Sequence, residues 1–192
     1  MTSSGRPGGL PVPRRMANSA DHNGSSRDRW SHLAGEVHGG RHRLAVRVYY
    51  EDTDFSGIVY HASYLRFMER GRTDYLRLIG ADHRALFEAA KHEAPGFAFV
   101  VRSMTIDFLK PARMDDVLLI TTQPVDVRGA SIALAQQVER GDEVLVTARV
   151  RVAFVSDGRA RPIPRPLRAA LRADQETAPD VHPDAESPDV TG

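Results

Sequence analysis

Hydrophobic and polar residues follow two different periods in the middle of the chain, and each period predicts a different element. Residues 43–50 alternate, with Val46, Val48 and Tyr50 on one side of the chain, which is the pattern of a half-buried strand. Residues 62–79 place their apolar side chains at helical spacing, with charged side chains between them. We therefore expect a strand that leads into one long amphipathic helix.

Gly71 lies inside this predicted helix, where glycine is about 1 kcal/mol less favourable than alanine. A glycine at such a position indicates that the helix backbone passes close to another element of the fold. We expect that element to be a sheet.

The remaining apolar pattern predicts a second, short helix and then a series of strands. The short helix covers residues 82–92 and is ended by Pro95 and Gly96. Four segments with a period of two follow, separated by turn residues, at residues 97–109, 117–125, 132–138 and 144–154. One long helix on an antiparallel meander predicts an α+β fold with five long strands. A single helix leaves part of such a sheet uncovered, so we expect the chain to form homodimers.

Composition divides the chain into three parts. Residues 1–40 are rich in Gly, Ser, Pro, Arg and His and follow neither period, which predicts a disordered N-terminal extension. Residues 41–172 contain the predicted elements and form the predicted folded domain. Residues 173–192 are acidic and contain several prolines, so we expect a disordered C-terminal tail.

Charge and composition exclude several classes of function. The 192 residues carry a formal net charge of +1, which gives no basis for nucleic-acid binding. No apolar run reaches the length of about eighteen residues that suggests membrane insertion. Cysteine is absent, which removes disulfides, thiol nucleophiles and thiolate metal sites. These features predict a cytoplasmic globular protein.

The candidate chemistry lies between the predicted strand and the long helix. Glu51, Asp52 and Asp54 stand within four positions, just before the helix begins. A helix start presents backbone N–H groups without partners, which attract negative charge and can polarise a carbonyl group. A carboxylate beside such donors is a candidate hydrolytic pair. Acids at this place are also common as helix caps and turn formers, and spacing alone does not separate the two interpretations.

A longer pattern around these acids resembles a known family. The residues that carry it are Tyr50-Glu51-Asp52-Thr53-Asp54, Gly57, Val59-Tyr60-His61, Tyr64, Phe67, Glu69-Arg70 and Arg72-Thr73. In this order and spacing they resemble the YbgC branch of the hotdog-fold acyl-CoA thioesterases, which are also called Tol-Pal-associated thioesterases. That branch is related to 4-hydroxybenzoyl-CoA thioesterase. The resemblance covers about residues 43–172, and neither tail takes part in it.

The resemblance implies a hotdog fold, in which a curved five-stranded antiparallel sheet wraps a long central helix. It implies homodimers or homotetramers whose active sites lie at the subunit interface. The catalytic carboxylate falls on Asp54, and the backbone N–H that polarises the thioester carbonyl falls on His61. Residues implied in substrate binding are Gly57, Val59, Tyr60 and Tyr64. No metal or other cofactor is implied, since coenzyme A arrives as part of the acyl-CoA substrate, and a peripheral link to the cell envelope rests on the resemblance alone.

Several roles stay open at this point. Asp54 suits a general base that activates water as well as a nucleophile that forms a mixed anhydride. Glu69 falls two turns into the helix, where an exposed ion pair is the simpler interpretation, although a helix carboxylate is catalytic in another thioesterase subgroup. Coenzyme A phosphates call for basic residues at the mouth of the site. The candidates are Arg102, Lys110, Arg113, Arg128, Arg159, Arg161 and Arg165.

Two other functions compete with acyl-CoA hydrolysis. Asp54 and His61 superficially suit a hotdog hydratase or dehydratase that acts on an enoyl-CoA. The second alternative is a non-catalytic module that binds acyl-CoA. The complete set of Asp54, Gly57 and His61 argues against such a module, because binding alone does not require a carboxylate beside the carbonyl.

Overall fold

The computed structural model describes residues 33–82 and 97–180, and the structural statements below refer to those residues. The predicted short helix at residues 82–92 therefore lies outside them, apart from Asp82, which ends the long helix. The strands are β1 (Glu36–His38), β2 (Arg41–Arg47), β3 (Ala98–Phe108), β4 (Val117–Val127), β5 (Ser131–Arg140), β6 (Glu143–Ser156) and β7 (Arg159–Ala160). The helices are α1 (His61–Asp82) and α2 (Arg165–Thr177).

The strands form one antiparallel sheet in the order β1-β2-β4-β5-β6-β3, and β7 pairs with β6. The predicted α+β fold and its five long strands are confirmed, while the very short β1 and β7 add to the sheet. The first long strand ends at Arg47, earlier than predicted, because Tyr50–Asp52 form a turn of 3-10 helix. The Asp52 carboxylate stabilises that turn by accepting a hydrogen bond from the Tyr49 N–H at 2.9 Å.

The folded domain extends beyond the predicted boundaries at both ends. β1 lies within residues 1–40 and pairs with β2, so that Val37 is opposite His42. At the other end α2 continues to Thr177, past the predicted boundary at residue 172. Packing overrides the polar composition there, because Asp174 accepts a hydrogen bond from the hydroxyl of Tyr75 at 2.9 Å. The disorder predicted for residues 173–177 is therefore corrected to helix.

α1 packs closely on the sheet, as its internal glycine indicates. Phe67, Met68 and Tyr75 are fully buried on the inner face of the helix. A Cβ atom added at Gly71 would lie 3.1 Å from a methyl carbon of Ile120 and from the Thr122 hydroxyl on β4. The absence of a side chain lets the two backbones approach each other, and this part of the sequence prediction is confirmed.

A buried polar network joins the same helix to β4 and β5. The Gln136 side-chain amide donates to the Met68 carbonyl at 2.9 Å and to the Thr122 hydroxyl at 2.8 Å. Its carbonyl oxygen accepts from the Arg72 guanidinium at 2.6 Å. Burial lowers the pKa of Arg72, an effect that nearby Glu69 opposes. Buried polar groups fix the register of helix on sheet when they are satisfied in this way.

His42 on β2 is buried and holds an incomplete set of hydrogen bonds. Its Nε2 lies 2.7 Å from the Ala34 carbonyl, so this nitrogen carries the proton of the neutral ring. The Nδ1 atom has no partner among the described residues. Desolvation by burial lowers the pKa of His42, while the Ala34 carbonyl and the charge of Asp74 act in the opposite direction. The folded protein therefore favours neutral His42.

We predict that His42 makes stability fall in acid. Because its pKa is lowered in the folded state, the unfolded chain takes up the proton first, and stability is lost as the pH falls below about 6.5. The free energy of unfolding then falls with a slope that reaches at most about 1.4 kcal/mol per pH unit. Urea denaturation from pH 8 to pH 5, compared with His42→Gln, measures it. Parallel curves for the two proteins would contradict this prediction.

β3 is an edge strand, and its outer edge has no partner in the described protomer. Val100 and Val101 on this strand remain 46% and 47% exposed, and the strand ends at the half-exposed Phe108. Helix α1 packs mainly on β1, β2, β4 and β5, which lie toward the other side of the sheet. An unpaired edge that carries apolar side chains is a ready surface for another strand.

Candidate active site

The acidic loop forms a short ladder that places Asp54 beside the chain entering α1. The Asp54 N–H donates to the Ile58 carbonyl at 2.9 Å, and the Gly57 N–H donates to the Asp54 carbonyl at 3.0 Å. Thr53 and Val59 form an antiparallel bridge one step further along. Gly57 has a φ of +72°, and a Cβ there would meet no atom within 4 Å. The turn requires glycine for its backbone conformation, not for space.

The Asp54 side chain is exposed, and one of its oxygens is held by the turn. Its Oδ1 accepts a hydrogen bond from the Ser56 N–H at 2.8 Å. No hydrogen bond to Oδ2 is formed within the part of the chain that the structure describes. A carboxylate that is oriented through one oxygen and open at the other suits a base or a nucleophile.

The start of α1 leaves two backbone donors open. The Tyr60 N–H donates to the Asp52 carbonyl at 2.9 Å, and the Ser63 N–H donates to the Tyr60 carbonyl at 2.8 Å. Between them, the N–H groups of His61 and Ala62 have no acceptor among the described residues. Such unpaired donors at a helix start stabilise negative charge on an approaching oxygen.

The other two acids of the loop have different surroundings. Asp52 is 7% exposed, and both its carboxylate and its carbonyl bind backbone N–H groups of the loop. It therefore shapes the loop, which is the turn-forming role that acids at such places often have. Glu51 is exposed and makes no hydrogen bond within the described residues. Asp54 is the acid whose carboxylate faces solvent next to the helix start.

Aromatic side chains form an open wall beside this helix start. The rings of Tyr60 and His61 lie 4.3 Å apart, and the Phe108 ring lies 6.4 Å from His61 and 5.9 Å from Tyr64. Tyr60 remains 45% exposed and Phe108 remains 49% exposed. The sequence did not single out Phe108, since its period-two pattern places it at the end of a strand without showing what that end faces.

A third segment, residues 110–116 between β3 and β4, binds the end of the acidic loop through its backbone. The Val59 N–H donates to the Ala112 carbonyl at 2.8 Å, and Ile58 forms a bridge with Arg113. The Ala112 N–H in turn donates to the hydroxyl oxygen of Tyr64 at 2.8 Å. Tyr64 is only 3% exposed, and burial raises the pKa of its hydroxyl, which stays protonated. Val59 and Tyr64 thus hold the site together, and their predicted part in substrate binding stays a prediction.

Comparisons with known proteins identify the family of this chain. Residues 48–171 match the model of the thioesterase-like superfamily. The chain is 42% identical over 128 residues to the acyl-CoA thioesterase YbgC of Haemophilus influenzae, which covers 66% of this chain and 90% of that relative. The chain belongs to the thioesterase-like superfamily. The YbgC-type resemblance that residues 50–73 carry is thereby confirmed, and the protein is a thioester hydrolase by family.

Solved structures of other thioesterases have the same fold. A probable thioesterase from Bartonella henselae is 39% identical, with a TM-score of 0.54 and coverage of 65% of this chain and 98% of that chain. A thioesterase from Thermus thermophilus, complexed with coenzyme A and Zn, is 26% identical, with a TM-score of 0.60 and coverage of 73% and 98%. The predicted hotdog fold is confirmed.

The basic residues proposed for coenzyme A phosphates fall at different places in this thioesterase. Lys110 and Arg113 lie in the segment that supports the loop, and Lys110 pairs with Glu143 at 2.7 Å. Arg102 is the extra residue of a bulge in β3. The other four basic candidates lie at the opposite end of the sheet, where the Arg161 N–H donates to the Phe154 carbonyl. They are Arg128, Arg159, Arg161 and Arg165. That end lies roughly 30 Å away along β4, so these four do not reach this protomer's loop.

Glu69 lies apart from the acidic loop, on the exposed face of α1. Glu69 is exposed and accepts a hydrogen bond from the Thr73 hydroxyl at 2.6 Å, two turns along α1 from His61. Within residues 33–82 and 97–180, no group of three or more potential metal ligands occurs. None of the helices described there is long and apolar enough to cross a bilayer.

We predict that removing the Tyr64 hydroxyl destabilises the thioesterase. In Tyr64→Phe the buried Ala112 N–H loses its acceptor, which costs about 1–3 kcal/mol of unfolding free energy. Urea denaturation measures the loss, with Tyr60→Phe as the matched control, because that hydroxyl makes no hydrogen bond within the described residues. Equal losses in the two variants would contradict a supporting role for Tyr64.

Proposed function

We propose that this protein hydrolyses acyl-CoA thioesters, with Asp54 as the catalytic carboxylate and the His61 N–H as the donor to the thioester carbonyl. The observation that carries the proposal is the pairing of an exposed, oriented carboxylate with two open N–H groups at a helix start. The acyl-CoA thioesterase relative and the coenzyme A complex of a similar structure support the choice of substrate.

In this proposal the thioester carbonyl oxygen accepts hydrogen bonds from the helix start. Addition to the carbonyl carbon moves negative charge onto that oxygen, and each fixed donor stabilises the charge by a few kcal/mol, about 3. The C–S bond then breaks, coenzyme A leaves as a thiolate and takes up a proton, and the acyl group ends as a free acid. No cofactor takes part, since coenzyme A is the leaving group.

Asp54 has two possible parts in the addition step. As a general base, it takes a proton from the water that attacks the carbonyl carbon. As a nucleophile, its oxygen attacks directly, and water later cleaves the mixed anhydride. Hydroxylamine in a single-turnover reaction separates the two routes, because it traps an anhydride as a hydroxamate on Asp54.

We predict that Asp54→Asn lowers the rate of coenzyme A release by at least about 10³-fold, because the amide is neither a base nor a nucleophile. Release is measured with a thiol reagent on a panel of short, long and aromatic acyl-CoAs. Glu51→Gln in the same loop is the matched control and keeps wild-type rates, because Glu51 makes no hydrogen bond within the described residues. Full activity in folded Asp54→Asn sinks the proposal.

The same panel distinguishes the two competing functions. A hydratase converts an enoyl-CoA to the hydroxyacyl-CoA without releasing coenzyme A, and a binding module retains the ligand without any turnover. The open carboxylate of Asp54 favours a reaction over binding alone, because an unpartnered charge beside an apolar acyl group does not favour affinity.

We further propose that a second copy of the chain completes the site through the free edge of β3. The aromatic wall of Tyr60 and Phe108 is half exposed in the protomer, and Phe108 ends the edge strand that carries Val100 and Val101. Pairing two β3 strands would cover these apolar groups and enclose the acyl group. The proposal accommodates homodimers and homotetramers built from them.

We predict that Val101→Lys weakens the dimer and reduces coenzyme A release together. Two lysines brought close to the shared edge repel each other and expose apolar surface that pairing would cover. Sedimentation equilibrium measures the association constant, and the thiol assay measures the activity at matched concentrations. Arg149→Lys, on a strand inside the sheet, serves as the control. A monomeric wild-type protein with full activity excludes the shared site.

A further inference from the structure

A network of charged side chains holds the segment that supports the acidic loop. The Asp116 Oδ2 atom accepts from the Arg113 N–H at 2.8 Å and from the Arg140 Nη1 at 2.8 Å. Arg140 is the last residue of β5, and its Nη2 donates to Glu143 at 2.6 Å. Glu143 also accepts from the Lys110 ammonium at 2.7 Å. Together these groups clamp both ends of residues 110–116.

Residues 110–116 contact the acidic loop at both of its ends. Where the loop begins, the Val48 N–H donates to the Asp116 carbonyl at 2.9 Å, and the Val48 carbonyl accepts from the Asp115 N–H at 3.1 Å. Where it ends, Ile58 bridges Arg113 just before α1 begins. Asp54 also donates its N–H to Ile58. One short segment therefore sets where Asp54 and the helix start lie relative to each other.

We propose that Asp116 and Arg140 are positioning residues for thioester hydrolysis, which fix the spacing between the Asp54 carboxylate and the N–H groups of His61 and Ala62. The inference rests on the proposed function. A misplacement of about 1 Å between reacting groups reduces a rate by about 10²-fold. The braced segment binds residues 58–59, which in turn bind Asp54 and lead into α1, so loss of the brace is expected to matter more for rate than for stability.

The partial exposure of these side chains supports an effect on rate that is larger than the effect on stability. The side chains of Arg140 and Asp116 are 36% and 23% exposed, and ion pairs of that kind contribute little to the free energy of unfolding. Partial burial raises the pKa of Asp116, but hydrogen bonds from Arg113 and Arg140 outweigh it and leave the pKa below its ordinary value. Asp116 therefore stays charged and bonded across the neutral range.

The opposite end of β4 provides a matched control. There the Asp126 Oδ2 atom accepts from Arg128 at 2.7 Å and from Arg151 at 3.2 Å. Like Asp116, Asp126 is a carboxylate that accepts hydrogen bonds at one oxygen. Burial raises its pKa, but the two arginines outweigh that effect and leave the pKa below its ordinary value. Asp126 lies at the end of the sheet away from the acidic loop. The variant Asp126→Asn therefore removes the charge of a similar ion pair at a place where the acidic loop is not affected.

The experiment compares Asp116→Asn with Asp126→Asn in the full chain, with one acyl-CoA that the wild type hydrolyses. We expect kcat to fall about 10-fold to 100-fold in Asp116→Asn, with KM within about twofold of wild type. Asp126→Asn keeps both constants within about twofold, and the melting temperatures of the two variants stay close together. Arg140→Lys retains more kcat than Arg140→Met, because lysine still supplies a charged donor.

A second readout does not depend on activity. Hydrogen exchange at the Asp54 and Val59 amides, which donate to the Ile58 and Ala112 carbonyls, is expected to speed up in Asp116→Asn and to stay unchanged in Asp126→Asn. Equal kcat and equal exchange in the two variants overturn the positioning role. If Asp116→Asn does not fold, wild-type kcat and exchange in Arg140→Met overturn it instead. An inactive wild type or an active Asp54→Asn refutes the proposed function, while the exchange comparison still decides the positioning role.

Discussion

The structure depends on one set of backbone hydrogen bonds, in which residues 58–59 lie between two neighbouring segments. On one side they bind Thr53 and Asp54, and on the other they bind Ala112 and Arg113. The middle segment leads directly into α1, so the candidate acid and the candidate N–H donors are attached to the same short ladder. Backbone hydrogen bonds fix such distances more firmly than flexible side chains do, which is what preorganised stabilisation of a developing charge requires.

Polar groups at the start of α1 and on Asp54 lack protein partners among the described residues, whereas those of Gln136 beneath the helix are paired. The N–H groups of His61 and Ala62 and the second oxygen of Asp54 have no partner among the described residues, which leaves them to solvent or to a ligand. Beneath the helix, by contrast, the buried Gln136 side chain is fully paired through its contacts with Thr122, the Met68 carbonyl and Arg72. Close packing at Gly71 and the hydrogen bonds of Gln136 fix α1 on the sheet, and this leaves the first residues of the helix at the surface beside the acidic loop.

Much of the fold could be predicted from local patterns, because strand and helix periods are properties of neighbouring residues. The long helix, the five long strands and the close approach at Gly71 follow from such patterns, and the motif around Asp54 carries the family. Contacts between distant segments could not be predicted. The Tyr64 hydroxyl meets Ala112, and Asp116 meets Arg140, only because strand register brings them together. The ends of the domain were missed for the same reason, since β1 and residues 173–177 are held by tertiary contacts in spite of their polar composition.

Strand register also separates basic residues that look equivalent in the sequence. Lys110 and Arg113 adjoin the loop because β3 ends and β4 begins there, whereas Arg159 and Arg161 follow the far end of β6. Among the basic candidates named from the sequence, Lys110 and Arg113 are therefore the two that lie in the segment next to the acidic loop of the same protomer. Lys110 is already bonded to Glu143, so contact with a phosphate would compete with the network that supports the loop. Arg113 lends its N–H to Asp116 while its guanidinium forms no ion pair with the described residues. That guanidinium is thus the better placed of the two to receive a phosphate without disturbing the geometry beneath Asp54.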